Sequence, residues 1–186
     1  SQNIKATGTV NVPADCHLYE IVKAVQFVNA ADRIQRFRDN RTITIDRTIT
    51  IVVGKGEHHI INEDSFWDEY NDDELKISSA VNIVGDPGVV KEEIVVVGGI
   101  CFMKGIQENC HLQHMTLRQA KGNGVTGYSS FTMEDVLVEQ CGNHGVCAMQ
   151  QRNCSRRRSK RRSKFTCMRG THDVGKCTNV EVRRCG

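Results

Sequence analysis

Four side chains in the repeats of this 186-residue chain are the candidates for proton transfer on one exposed sheet: Arg118, Asp135, Glu139 and His144. Two carboxyl groups flanking a bond are the minimum for general acid–base cleavage of a glycosidic linkage. A carboxylate-bound calcium beside an Arg or Lys base is the other arrangement to look for. Placement argues against both. Asp135 stands where related stretches of the chain have His114 and Asn179, and Glu139 stands where they have Arg118 and Arg183. A position so varied within one chain reads as a turn or an outward strand site, so no catalytic residue is assigned. His58 and His59 are adjacent in a strand-like run, which sends them to opposite faces and keeps them from sharing a metal. None of the nine cysteines forms a Cys-x-x-Cys pair, so zinc-ribbon and redox motifs lack support. No metal and no cofactor is called for.

The second concentration of chemistry is cationic. Eight Lys or Arg lie between Arg152 and Lys164 with no Asp or Glu among them. The binding candidates are Arg156, Arg157, Arg158, Lys160, Arg161, Arg162 and Lys164. The net charge is +3, so removing those eight cations leaves the rest of the chain near −5, and the basic character is local. Such a run attracts nucleic acid, an import receptor or another anionic partner by electrostatics alone. It lacks the interleaved aromatics of a single-strand binding platform. Ser155, Ser159 and Ser163 sit among the cations, where phosphorylation would lower the positive charge. The alternative reading is a solvated insertion with no selected role, because short basic runs are common.

The elements that carry these residues follow from a repeat. ENCHLQHMTLRQAKGNGV (108–125) and SSFTMEDVLVEQCGNHGV (129–146) share one pattern: apolar, two polar, apolar, polar, apolar, then a close on Gly-Val. A third statement, VGKCTNVEVRRCG, ends at Gly186. Ile94 and Val96 precede Met115 and Leu117 by 21 residues, these precede Val136 and Val138 by 21 again, and Val180 and Val182 follow 44 later. Self-similarity at this period marks stacked strand-and-turn coils that bury apolar residues only against their neighbours. The leucines do not fall in a regular LxxLxL frame, which sets aside a leucine-rich repeat. The spacing predicts inward stacks of Met115, Leu117, Val136, Val138, Val180 and Val182.

Before the repeats, residues 1–14 are small and polar and carry little pattern. Leu18, Ile21, Val22, Val25 and Val28 fall at helical spacing after a candidate cap, Asp15. This helix suits a lid over an open core end; its polar face, with Glu20, Lys23 and Gln26, lacks the basic excess of a membrane-surface helix. Ile43, Ile45, Ile49, Ile51 and Val53 then alternate with polar residues as a half-buried strand does. Residues 61–75 read as an acidic exposed loop anchored by Phe66 and Trp67. Aromatics make up only 5% of the chain, so the core must be aliphatic. No apolar run approaches the roughly 20 residues that span a bilayer. Cys141 and Cys185 occupy a repeat position held by Ala120 in the first statement, which is how a small buried apolar residue behaves. That favours reduced thiols over a disulfide framework, and with them a reducing intracellular compartment.

Four of these stretches, GKGEHHI (54–60), VNIVGDPG (81–88), IQENCHLQHMTLRQAKGNGV (106–125) and SFTMEDVLVEQCGNHGV (130–146), resemble the right-handed parallel β-helix, or pectin-lyase-like, superfamily. The likeness is greatest to its uncharacterised branch of repeat proteins found in large numbers in microalgae, over roughly residues 16–148 and 174–186. The resemblance implies an all-β, right-handed parallel β-helix solenoid with an N-terminal capping helix. Residues 1–42 would form the N-terminal segment and 43–186 the β-helix, with a basic loop inserted at about 149–174. The superfamily holds lyases, hydrolases, esterases and non-catalytic stalks, so fold does not fix activity. GNHG (142–145) is similar to the Gly-His-Gly of polygalacturonases, but their Asp-Asp and Arg-x-Lys motifs are absent. The expectation is therefore a non-catalytic repeat or binding module, contacting glycans or proteins through a flat sheet face. A carbohydrate-active enzyme is the alternative, and nucleic-acid or import-receptor contact through the basic loop the second alternative. The chain stops before its last turn closes, which leads to the further expectation of missing coils or a partner at that end.

Overall fold

The computed structural model describes residues 4–13, 18, 21–26, 45–60, 74–106, 108–149 and 175–186. Most of them are strand, and every strand pairing is parallel. The chain is all-β in class, and its described residues form two sheets. One is built on the order β1 (Ile4–Val12), β2 (Ile45–Val53), β5 (Val81–Gly85), β8 (Cys110–Arg118), β10 (Phe131–Glu139) and β12 (Gly175–Thr178). In the same sheet β3 (Gly56–His59) pairs with β6 (Ile94–Val97), β6 with β8, and β13 (Glu181–Arg183) with β10. The second sheet has the order β11 (Val146–Ala148), β9 (Val125–Gly127), β7 (Gly99–Phe102), β4 (Glu74–Ile77).

Register explains the repeat. Val96 pairs with Leu117, Leu117 with Val138 and Val138 with Val182, so the 21- and 44-residue spacings are neighbour relations in the sheet. The two polar residues inside each apolar pattern are a corner. Leu112 and Met115 both face the core, as do Met133 and Val136, and the residue between them that breaks the alternation is left-handed: His114 (φ 54°), Asp135 (φ 52°) and, in the next layer, Asn179 (φ 52°). Asn and Asp tolerate this region better than most residues. In the β5–β6 layer the same corner is taken by a separate connection, residues 86–93, ending in a 3-10 turn at Lys91–Glu93. Gly85 lies there because a Cβ would sit 1.8 Å from the His114 carbonyl oxygen.

The core is one contiguous cluster running from Val12, through Ile51, Ile83, Leu112 and Met133, to Val138 and Cys141. Its two large rings, Phe102 and Phe131, stack with centroids 5.3 Å apart. A helix precedes the main strands, with Leu18, Val22 and Val25 buried in that cluster, as the apolar spacing requires. Gln26 fixes it to the end of β4: its Nε2 donates to Lys76 O at 3.1 Å and its Oε1 accepts from Ser78 N at 2.7 Å. No helix among the described residues is long and apolar enough to cross a membrane.

Two expectations need correction. Residues 1–14 are not patternless: β1 pairs with β2 along nine residues and buries Val12. Val180 and Val182 do not join the buried stack, since Val180 is half-buried and Val182 is 49% exposed. Val182 still points the same way as its counterparts. A Cβ on Gly145 would meet its Cγ1 at 2.3 Å, as a Cβ on Gly124 would meet Val138 Cγ1 at 2.4 Å. What differs is cover, because no described layer lies beyond β13. Ile43, Val28 and residues 61–73, with Phe66 and Trp67, lie outside the described residues, while Glu74 and Leu75, expected to end the exposed acidic loop, instead begin β4 with Leu75 buried.

The difference in cover has a measurable result. Leu117→Ala empties a fully buried site and should cost about 2–5 kcal/mol. Val182→Ala, at a half-covered equivalent position, should cost less than about 1 kcal/mol. Urea titration of both variants tests this; equal losses would mean that Val182 is covered in solution.

Candidate functional site

The connection between β5 and β6 does more than span a corner. Asp86 starts it, its Oδ1 accepting from Gly88 N at 2.8 Å, and the Lys91–Glu93 turn then packs across the outer face of β6, β8 and β10. Val95, Thr116 and Leu137 form an outward row in register, yet all three are buried there. Thr116 Oγ1 donates to Lys91 O at 3.0 Å.

Beside this row the three corner residues meet Lys91. Asp135 Oδ1 accepts from Lys91 Nζ at 2.5 Å and from Asn179 Nδ2 at 2.9 Å, while Asp135 Oδ2 lies 2.7 Å from His114 Nδ1. His114 Nε2 lies 2.7 Å from the Val89 carbonyl oxygen. One carboxylate thus joins four consecutive layers of the sheet. The expectation that Asp135 is an ordinary solvated turn residue is therefore wrong: its side chain is 30% exposed and bonded on both oxygens.

The protonation follows from geometry. Both neighbours of the imidazole are acceptors, and a neutral ring has only one N–H. The doubly protonated ring satisfies both contacts, so the Asp135 bond and the Val89 bond raise the His114 pKa above its ordinary 6.5. Lys91 and His114 in turn hold the Asp135 carboxyl below its ordinary 3.8. This arrangement is poor catalytic machinery. A general base needs a free lone pair facing a substrate or nucleophile, and the distal nitrogen here is occupied by a carbonyl. The cluster is a clamp on the 86–93 connection.

The other sequence candidates do not converge on it. Glu139 lies between Arg118 and Arg183 in register, as the repeat alignment indicates. Arg118 pairs with Glu57, and its Nε is buried without a hydrogen bond. Arg183 makes a two-point pair with Glu181 at 2.6 and 2.8 Å, which holds the Glu181 carboxyl below its usual range. His144 sits in the β10–β11 turn, where its backbone carbonyl accepts from Gly124 N at 2.9 Å. His58 and His59 do face opposite ways: His58 is buried with Nε2 3.0 Å from Gly54 O, and His59 is exposed beside Glu57. Among the described residues no group of three or more His, Cys, Asp or Glu could hold a metal. The basic candidates Arg156, Arg157, Arg158, Lys160, Arg161, Arg162 and Lys164, with the serines among them, lie outside the described residues.

No protein-family model matches the chain, and neither a curated protein nor a solved structure does. Function must be read from the surface.

Sequence reasoning found the corner positions but missed Lys91. The period that aligns His114 with Asp135 carries no information about a connection with no counterpart in the β8 and β10 layers.

The clamp makes stability depend on pH in a defined direction. His114 has a raised pKa, so its contribution is complete below about 6.5 and lost as pH rises through the folded value. Asp135 has a lowered pKa, so its contribution is present above about 3.8 and lost as pH falls through the folded value. Urea midpoints should therefore be highest in the mildly acid range and decline on the alkaline side. His114→Asn, which keeps a residue tolerant of the left-handed corner, should flatten the alkaline limb. An unchanged limb would assign that decline to other groups.

Proposed function

We propose that this chain is a right-handed parallel β-helix of the pectin-lyase-like kind, capped by its N-terminal helix. In this reading it is a non-catalytic repeat module that contacts glycans or proteins through a flat sheet face. In-register parallel pairing at a 21-residue spacing, with two sheets fed by each repeat, supports the architecture. The capping role is supported by the burial of Leu18, Val22 and Val25 in the common core.

The observation that carries the functional reading is an open, level face on the first half of the long strands. Thr50, Asn82, His111, Thr132 and Lys176 form one outward row by register. Val52, Val84, Gln113, Glu134 and Thr178 form the next. Unlike the row under the 86–93 connection, none of these ten is buried. Strands about 4.8 Å apart present such groups at even intervals. His111 holds the surface level, its Nδ1 2.6 Å from Thr132 Oγ1 and its Nε2 3.3 Å from Gln113 Oε1. Hydrogen-bonding groups, neutral except for Lys176 and Glu134, with Val52 and Val84 beside them suit an extended polar ligand such as a glycan chain or a peptide.

The test is binding without turnover. Affinity electrophoresis against polyuronates and neutral glycans should show retardation by at least one of them. His111→Ala with Gln113→Ala should abolish it, while product assays on the same glycans stay blank. Release of reducing ends or unsaturated uronates by the wild-type chain would instead establish a carbohydrate-active enzyme.

The eight clustered cations between Arg152 and Lys164 favour a second, separate contact with an anionic partner such as nucleic acid or an import receptor. Its affinity for a nucleic acid should fall steeply with salt and vanish when residues 152–164 are deleted. Binding that survives the deletion would remove this reading and leave the sheet-face reading untouched.

A further inference from the structure

The inward position just past the corner Gln119, Gln140 and Arg184, all left-handed, is Ala120 in one layer, Cys141 in the next and Cys185 in the one after. Backbone bonds stack these residues directly: Gly142 N donates to Ala120 O at 2.8 Å, and Gly186 N to Cys141 O at 3.3 Å. Neighbouring strands lie about 4.8 Å apart, within the roughly 4.4–6.8 Å between Cα atoms that a disulfide spans. The two side chains leave the backbone in the same sense. Cys141 Sγ donates to Glu139 O at 3.7 Å and Cys185 Sγ to Arg183 O at 3.4 Å, each to the carbonyl two residues back. The two thiols also interact with each other. Their environments differ, since Cys141 is buried and Cys185 half-buried.

We propose that Cys141 and Cys185 are a paired-thiol modification site that small-molecule disulfides, such as oxidised glutathione, convert to an intramolecular disulfide.

Accessibility assigns the order of events. Burial and the neighbouring thiol push Cys141 up to about 12, so it is the poor first nucleophile. Cys185, as its thiolate, attacks one sulfur of oxidised glutathione; the glutathione S–S bond breaks, a mixed disulfide forms on Cys185, and one glutathione leaves as its thiol. Cys141 sulfur then attacks Cys185 Sγ, the Cys185–glutathione bond breaks, and the Cys141 proton leaves with the second glutathione thiol. Two electrons have passed from the two cysteines to one disulfide, and two protons accompany them. The new bond ties β13 to β10 and closes a loop over residues 142–184, the part of the chain that includes the basic run. A cross-link over so long a loop restricts the unfolded chain strongly.

The experiment uses the full chain under native conditions in graded mixtures of reduced and oxidised glutathione. The reaction is quenched by alkylation and mapped by mass spectrometry without reduction. In the wild type, Cys141 and Cys185 should lose alkylation together and appear as one cross-linked peptide. Amide exchange over Glu181–Arg183 should slow in the oxidised form. Cys141→Ala is the comparison variant, because Ala120 already fills this position one layer earlier. There Cys185 should accumulate glutathione as a stable mixed disulfide, with no cross-link and no slowing of exchange. Full alkylation of both cysteines, persistent glutathione on Cys185 of the wild type, or pairing of either with Cys147, Cys177 or another cysteine would overturn the proposal.

Discussion

A strand in a parallel sheet cannot meet its neighbour through a tight hairpin; the chain must leave, travel around and return before the next strand is laid down. In this protein that return takes 21 residues from β6 to β8 and from β8 to β10, and in-register pairing survives longer returns of 29 residues from β5 to β8 and 44 from β10 to β13. What must hold is the pairing register: a one-residue slip of β10 against β8 would send its inward side chains to the other face. The left-handed residues at the corners keep the count. His114, Asp135 and Asn179 each absorb one residue in a sharp bend, so both halves of a long strand can present apolar groups to the same core. Such backbone costs about a kcal/mol or more for a residue other than glycine. It persists because packing on either side leaves no alternative, with Leu112 and Met115 fully buried around one corner and Met133 and Val136 around the next.

The outer surface divides at the same corners. On one side of them the face stays open, with Thr50, Asn82, His111 and Thr132 in a half-exposed line. On the other, residues 86–93 lie across the strands and bury Val95, Thr116 and Leu137. Two surfaces of one sheet are thereby set apart, one left open and one covered in holding the molecule together. Asp135, one of the four candidates for proton transfer, belongs to the second.

Sequence was informative where the physics is periodic. The apolar–polar–polar–apolar pattern over Leu112–Met115 and Met133–Val136 contained both the register and the corner, and the helical spacing of Leu18, Val22 and Val25 announced their buried face. It failed where the periodicity does. β1 pairs with β2 at an offset of 41 residues, as Ile4 with Ile45, which is about twice the internal repeat, and the small residues Ala6 and Gly8 interrupt its alternation. The role of Asp135 was misread for a related reason. Variation among His114, Asp135 and Asn179 looked like indifference, yet the three differ because each supplies a different half of a hydrogen bond to the others or to the 86–93 connection. Complementarity between layers and absence of constraint leave the same trace in a single sequence.

The Asp135 carboxylate also changes how the molecule should be expected to come apart. In a stack where each layer touches only the next, stability is a sum of local terms and the ends can fray one layer at a time. Here Lys91 belongs to the β5–β6 layer, His114 to the following one, Asp135 to the one after, and Asn179 to the last, and all converge on a single group. That is a coupling beyond nearest neighbours. Loss of the β12–β13 layer releases one of the bonds to Asp135, and loss of the β5–β6 layer releases another together with the cover over Leu137. The four layers therefore behave as one cooperative block, and fraying that begins at either edge of the sheet has to stop at the clamp or open the whole of it at once.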